Sequence, residues 1–223
     1  MVALFVVFTI LVCLAVDAAL QRRKQRLVPV DVARVQVPKI RLARGVLHAP
    51  NHLWLRLFPD GRTRIGLDDF AQKLLGRIDA IESVGPGRRV RRGEPILWIH
   101  QGGRKLALRS PVSGSVLQVN EAIREKPEIL RQNPYLQGWL LDLEPEDLGA
   151  VLPELAVAEK AARWLRREWE RLREFLVQVS LARPQVGLTM ADGGLPVEGV
   201  MASLDDETWS ECQTRFFSLR EIS

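Results

Sequence analysis

The stretch that decides the fold is residues 95–114, which read PILWIHQGGRKLALRSPVSG. Two apolar runs, at 95–100 and 106–109, flank the sequence Gln101-Gly102-Gly103-Arg104. Two adjacent glycines between such runs are typical of a tight type I′ turn, because both central residues of that turn need positive φ. The stretch therefore predicts a β-hairpin with Gly102 and Gly103 at its apex, followed by a second turn at 110–114.

The same alternation of short apolar runs and turns extends outward over residues 45–147. Residues 53–57 and 63–67 form a predicted hairpin around Pro59-Asp60-Gly61, and Asp68-Asp69 is expected to cap a short helix that Gly76 ends. The other predicted elements are strands at 78–84, 115–120 and 138–143 and a short helix at 122–130. Many short strands between Gly/Pro turns favour a small sandwich or a flattened barrel.

The last third of the chain has a helical pattern. Apolar residues recur every three or four positions, which predicts an amphipathic helix, and Trp164 widens its apolar side. They are Ala158, Ala162, Leu165, Trp169, Leu172, Leu176 and Val179. Such a helix either packs on its own domain or docks on a partner or a second copy, and the pattern leaves both open. Asp205 is expected to cap a final helix that extends to residue 217, so the fold class is α+β.

The N-terminal residues 1–20 read MVALFVVFTILVCLAVDAAL and carry no charge before Asp17. About 20 apolar residues are needed for a transmembrane helix, so this run is just long enough. A cleavable signal peptide is the alternative, but no basic residue precedes the apolar run. The basic flank that follows stays on the cytoplasmic side and can contact anionic membrane lipid. It consists of Arg22, Arg23, Lys24 and Arg26.

We therefore expect a single-pass protein of the inner, cytoplasmic membrane, with its N-terminus outside and residues 21–223 in the cytoplasm. Pro29 and Pro38 argue against a helix after the basic flank, so an extended linker is expected there. The predicted segments are a transmembrane helix at 1–20, a basic and extended linker at 21–44, a β domain at 45–150, an amphipathic helix at 151–181, and a loop with a C-terminal helix at 182–223.

Composition and residue patterns argue against several classes of function. The net charge is +5, and four of the basic residues lie in the flank of the apolar segment, so the rest of the chain is nearly neutral. No basic surface for binding nucleic acid is therefore predicted. The three histidines have neither a cysteine pair nor metal-ligand spacing, so no metal site is expected. Ser110 and Ser113 lack the context of a nucleophile motif. Hence the sequence predicts that the protein is not an enzyme.

Five ordered segments of the β domain resemble the glycine cleavage system H protein. They are His52-Leu53-Trp54, GLDDFAQKLLGRI at 66–78, SPVSG at 110–114, VNEA at 119–122, and Pro134-Tyr135 with Gly138-Trp139-Leu140. The resemblance implies the biotinyl/lipoyl hybrid fold. It also implies a carrier domain whose lipoyl-lysine lies at the tip of the hairpin that precedes SPVSG.

In this chain the position of the lipoyl-lysine is occupied by Gly103. Counting seven residues back from Ser110, or ten forward from Gly93, leads to the same glycine. Lys105 lies two residues further on, which is about 6–7 Å along a strand and away from the apex. We therefore expect a domain without lipoate; the alternative is a membrane-tethered lipoyl carrier with Lys105 as the acceptor.

Without an acceptor lysine, a non-catalytic scaffold or interaction subunit is the expected function. It would belong to a larger membrane-associated complex, and its partners would be membrane lipid and other protein subunits. Large aromatic residues of the C-terminal third are the candidates for partner binding, because aromatic side chains are enriched among binding hot spots. They are Trp164, Trp169, Trp209, Phe216 and Phe217.

Overall fold

The computed structural model describes residues 41–182 and 198–219, and these contain two antiparallel β-sheets. The strands are β1 (Leu47–His48), β2 (Leu53–Leu57), β3 (Thr63–Leu67), β4 (Ala80–Ser83), β5 (Arg89–Val90), β6 (Pro95–Gln101), β7 (Arg104–Arg109), β8 (Gly114–Val119), β9 (Trp139–Pro145) and β10 (Ala156–Val157). The larger sheet has the order β10-β1-β2-β3-β9-β8-β5, and the smaller one β4-β6-β7.

The two sheets share a single hydrophobic core. Leu55 and Ile65 of the large sheet and Leu97 and Leu106 of the small sheet belong to the same buried cluster, and all four are fully buried. In the β2–β3 pair, Leu55 lies opposite Ile65 and Arg56 opposite Arg64. Because successive strand residues point to opposite sides, this register places Leu55 and Ile65 in the core between the sheets and the two arginines on the other face. The predicted sandwich architecture is therefore confirmed.

Short helices connect the strands, and their ends follow from the sequence. Helix α1 (Asp69–Leu75) begins after Asp68, whose side chain accepts a hydrogen bond from the Ala71 amide at 2.9 Å, and it ends at Gly76. The single helix predicted at 122–130 is instead two, α2 (Glu121–Glu125) and α3 (Ile129–Gln132). Pro127 lies between them, and proline interrupts a helix because it lacks the amide hydrogen.

The C-terminal part contains α4 (Leu148–Val151), a 3-10 turn (Leu152–Glu154), α5 (Ala158–Ala182), α6 (Val200–Ser203) and α7 (Asp206–Phe216). The apolar side of α5 packs on the β domain, since Leu165, Leu172 and Leu176 are part of the same buried cluster as the two sheets. Asp205 caps α7 through the Thr208 amide, as expected from the sequence. Of the two alternatives for the long helix, the structure therefore shows internal packing.

The five aromatic candidates for partner binding require a correction. Their exposed fractions are at most 5%, and all five side chains belong to the core. The ring of Trp169 lies 4.6 Å from that of Phe70 in α1, in an edge-to-face arrangement. A repeat of apolar residues can be buried either by a partner protein or by the chain's own β domain. In this chain the β domain buries it. The five residues are Trp164, Trp169, Trp209, Phe216 and Phe217.

The membrane segment predicted at 1–20 lies outside the described residues, as do Arg22, Arg23, Lys24 and Arg26 of its basic flank. Among the helices of residues 41–182 and 198–219, none combines the length and the apolar character required to span a bilayer.

Candidate functional site

The apex of the β6–β7 hairpin is the position at which the resemblance places a carrier group. Gln101 and Arg104 are paired, and the two residues between them have positive φ, 56° at Gly102 and 80° at Gly103. The predicted type I′ turn is thus confirmed. A Cβ atom built on Gly103 would have no heavy atom within 4 Å, so the apex projects into open space.

Three hydrogen bonds connect the apex to the end of α1 and to the segment between α1 and β4. The buried Gln101 side chain donates from Nε2 to the carbonyl oxygens of Leu75, at 2.5 Å, and Arg77, at 2.6 Å. The amide of Gly102 donates to Asp79 Oδ2 at 2.7 Å. Because these partners lie at and beyond the end of α1, the hairpin is fixed to the segment that precedes β4.

A fourth contact joins the same hairpin to the C-terminal helices. Arg104 Nε lies 2.8 Å from Oδ1 of Asp206, the first residue of α7. At the end of α1, the Gly199 amide donates to the Lys73 carbonyl at 2.6 Å. The C-terminal part of the chain therefore touches both the helix and the hairpin that flank the apex.

Lys105, the alternative acceptor, lies on the flank of the hairpin. It is opposite His100 in the β6–β7 register, and its Nζ is 2.8 Å from Glu82 Oε2 on β4. The same amine lies 5.2 Å from the ring centroid of Trp98. The hydrogen bond from Lys105 lowers the pKa of Glu82 below its ordinary value. The amine is thus held against the outer surface of the small sheet and points away from the apex.

A second cluster of ionisable groups is buried and was not predicted from the sequence. His52 is fully buried, and its ring is stacked between Phe70, with centroids 4.2 Å apart, and Trp164, with centroids 4.8 Å apart. Its Nδ1 is 2.9 Å from Asp68 Oδ2, and its Nε2 is 3.8 Å from Glu168 Oε2 on α5. The histidine therefore joins the β domain to the long helix.

The electrostatics of this cluster follow from its two carboxylates. Burial alone would lower the pKa of His52, but Asp68 and Glu168 raise it to about 9. Burial would raise the pKa of Asp68, but His52 and His48 lower it well below its ordinary value. His48 Nδ1 lies 3.6 Å from the same Asp68 carboxylate oxygen. An imidazolium enclosed by aromatic rings and carboxylates has no access to a substrate, so the cluster is structural.

The described residues offer no site for a metal ion, since 41–182 and 198–219 contain no group of three or more His, Cys, Asp or Glu side chains arranged for one. Gly103 carries no side chain, and Lys105 is the lysine of the β6–β7 hairpin. The groups at and beside the apex are therefore the peptide groups of the turn, Arg104, which is paired with Asp206, and Lys105, which is paired with Glu82.

A two-sheet sandwich with a projecting hairpin at one end defines a domain of the lipoyl/biotinyl class. The Glycine cleavage H-protein family model matches residues 46–168. This is more than half of the chain, and the chain belongs to the glycine cleavage H-protein family.

Individual relatives are similar over the same part of the chain. A probable glycine cleavage system H protein of Thermococcus gammatolerans is 33% identical over 131 residues, which cover 59% of this chain and 97% of that protein. The glycine cleavage system H protein of Methylococcus capsulatus is 36% identical over 110 residues, covering 49% of this chain and 86% of that protein. The crystal structure of a glycine cleavage system H protein from Mycobacterium marinum is similar as well, with 26% sequence identity and a TM-score of 0.49. The match covers 55% of this chain and 98% of the Mycobacterium marinum chain.

Proposed function

We propose that the chain is a non-catalytic binding subunit built on an H-protein-like domain that carries no lipoate. The domain would be tethered to the cytoplasmic face of the inner membrane by residues 1–20 and would bind other subunits of a membrane-associated complex. The observation that carries the proposal is the glycine at the hairpin apex, where the resemblance places the acceptor lysine.

The surroundings of the apex support this proposal. A lysine becomes lipoylated when its amine reaches a ligase from an exposed turn, whereas the amine of Lys105 contacts Glu82 and Trp98 on the flank. Gly103 has φ of 80°, a conformation that side chains other than glycine, asparagine and aspartate rarely adopt. The turn thus favours glycine at this position, and glycine has no side chain to which lipoate could be attached.

The buried aromatic residues change where a partner would bind. Since Trp164, Trp169 and Trp209 are used in the core, a binding surface has to be sought elsewhere on the described residues. The His52 cluster joins α5 to the β domain, so the C-terminal helices and the β domain would present partners with one continuous surface.

Lipoylation in vitro tests the proposal. The chain is incubated with a lipoate ligase, ATP and lipoate, and its intact mass is compared with that of Gly103→Lys and of Lys105→Ala. We expect no adduct on the wild-type chain and an adduct on Gly103→Lys, which shows that the ligase accepts the domain. The strained φ makes this lysine variant less stable by about 1–2 kcal/mol. An adduct on the wild-type chain that disappears in Lys105→Ala would refute the proposal and establish the carrier alternative.

A further inference from the structure

The solvent-facing side of the large sheet carries a group of arginine and aromatic side chains. The strand register places Arg56 opposite Arg64, and Arg64 opposite Asp142 of β9, so these three residues share the face that points away from the core. We call the outer patch the set Arg56, Phe58, Arg62, Arg64 and Trp139, which are all half-buried. It lies on β2, β3, β9 and the turn between β2 and β3.

A buried carboxylate holds two of these arginines in place. Asp142 is fully buried, and it receives hydrogen bonds from Arg62 Nη1 at 2.5 Å and from Arg64 Nε at 2.8 Å and Nη2 at 3.0 Å. Burial would raise the pKa of Asp142, but the two arginines lower it below its ordinary value. Since the carboxylate stays ionised and accepts bonds on both oxygens, the two guanidinium groups are fixed before any partner arrives.

The aromatic rings complete this arrangement. The guanidinium carbon of Arg62 lies 4.2 Å from the centroid of Phe58, and that of Arg64 lies 4.2 Å from the centroid of Trp139. Stacking on rings leaves the edges of a guanidinium group free to donate hydrogen bonds. The side chains of Arg62 and Arg64 are only 28% and 22% exposed, so little side-chain entropy remains to be lost on binding.

Arg56 adds a cation that is not neutralised. Its guanidinium carbon lies 5.7 Å from the ring of Trp54, and no acidic side chain of the described residues is paired with it. Asp142 is shared between Arg62 and Arg64, and Asp60, which is 61% exposed, lies 3.5 Å from Arg62. The ion pairs of the outer patch join Arg62 and Arg64 to Asp142 and Asp60, and Arg56 takes no part in them.

From this geometry we infer that the outer patch is a docking surface for an acidic segment of a partner protein, one that carries carboxylates next to apolar side chains. The inference deepens the proposed function and rests on it. Arginine and aromatic residues are enriched in protein interfaces and among their hot spots. A planar guanidinium group pairs with a carboxylate through two parallel hydrogen bonds. The carboxylates would meet Arg56 and the free edges of Arg62 and Arg64, and the apolar side chains would cover Phe58 and Trp139.

A protein segment fits the outer patch better than an anionic membrane surface does. Attraction to lipid headgroups grows with the number of exposed charges, and Arg62 and Arg64 are largely buried and share a carboxylate. The half-buried rings of Phe58 and Trp139 offer flat apolar contacts, which a peptide covers and a layer of headgroups does not. A second copy of the chain is a separate outcome of the test.

Site-specific crosslinking in native membranes tests the inference. The photo-crosslinking amino acid benzoylphenylalanine replaces Phe58 in the full-length chain, and a matched chain carries it at Arg166, on the exposed side of α5. After irradiation, the crosslinked peptide is identified by mass spectrometry. We expect position 58 to crosslink one other protein through a peptide rich in Asp and Glu. Arg56→Glu should lower the yield about ten-fold, which is typical for loss of a hot-spot contact, and Arg166→Glu should leave it unchanged.

Further variants and outcomes keep the inference falsifiable. Arg56→Gln removes the charge without reversing it and should lower the yield by a smaller factor, and equal melting temperatures of the purified variants show that they fold. Crosslinks from position 58 to lipid, to a second copy or to a peptide without acidic residues would overturn the inference. If only position 166 crosslinks a partner, the outer patch is refuted but the binding function stands. If neither position yields a protein and none co-purifies, the proposed function fails as well.

Discussion

The buried histidine gives the most quantitative prediction, a pH dependence of stability above neutrality. His52 has a pKa of about 9 in the folded chain, against an ordinary value of 6.5. A pKa that is raised on folding stabilises the folded state fully below the unfolded value, and this stabilisation is lost as the pH rises to the folded value. The free energy of unfolding should therefore fall between pH 6.5 and pH 9. Since one pKa unit corresponds to about 1.4 kcal/mol, the fall should be about 3 kcal/mol.

The groups that face His52 decide the pH window of the measurement. Asp68 stays ionised throughout, because its pKa lies well below the ordinary value, and the pKa of Glu168 is lowered by His52 and Arg171. Burial raises the pKa of Tyr135 far above its ordinary value, and it raises that of Cys212 to about 12. These groups lower the stability once they ionise in the unfolded chain, where the ordinary pKa is 9.0 for a cysteine and 10.0 for a tyrosine. The measurement therefore stops at pH 9, where Cys212 causes only a small loss of stability.

The assay is urea unfolding of a fragment that spans residues 27–223, at a series of pH values from 6 to about 9. Unfolding is monitored by tryptophan fluorescence. The decisive variant is His52→Asn, because asparagine tolerates the φ of 62° observed at this position. We expect this variant to be less stable than the wild-type chain at pH 6 and to show no more than the small fall near pH 9 that Cys212 causes. His100→Asn, on the outer side of the small sheet, leaves the buried cluster intact and should keep the wild-type slope.

Two results would refute this reasoning. A wild-type free energy of unfolding that does not fall over the window would mean that folding does not raise the pKa of His52, and a rise from pH 6 would mean that the histidine is buried in its neutral form. A fall that persists unchanged in His52→Asn would mean that another group causes it. In either case the histidine would act by stacking between Phe70 and Trp164, without a contribution from its charge.

Three further predictions concern packing and the membrane. Trp169→Ala should lower the free energy of unfolding by about 3–5 kcal/mol, as for other buried tryptophans, whereas Leu181→Ala, at a position that is 74% exposed, should change it by less than about 0.5 kcal/mol in urea unfolding. Gly66→Ala should cost about 1–3 kcal/mol in the same assay, because the new methyl group would lie 2.3 Å from the ring of Trp54. The full-length chain should stay in the pellet when membranes are washed with alkaline carbonate, and its release would argue against an anchor at 1–20.

The elements that the sequence predicts well are those with a local cause. Gly102-Gly103 predicts the hairpin apex, because the type I′ turn requires positive φ at both positions, and both have it. Asp68 predicts the start of α1 because its carboxylate reaches an amide three residues ahead. The single helix predicted at 122–130 is wrong, because Pro127 lacks the amide hydrogen that a continuous helix would need there.

The features that the sequence did not predict depend on contacts between distant residues. His52 and Asp68 are 16 positions apart, and they meet because the β2–β3 hairpin brings the residue before β2 next to the residue after β3. Glu168 reaches the same histidine from α5, more than a hundred residues later. A histidine in a sequence gives no sign of such partners. The φ of 62° at His52, which is rare for a residue other than glycine, is also visible only in the structure.

The aromatic side chains of the C-terminal helices show why a hydrophobic repeat does not by itself identify an interface. Trp169 and Phe216 bury their rings against Phe70 of α1, and a partner protein could have covered the same rings in the same way. What distinguishes the two cases is how far the rings themselves are exposed. Phe216 also lies beneath a guanidinium group, that of Arg171, but it is only 2% exposed, whereas the rings of the outer patch are half-buried. Among the described residues, the outer patch combines half-buried rings with guanidinium groups that a carboxylate holds in place, and from this combination we infer a docking surface.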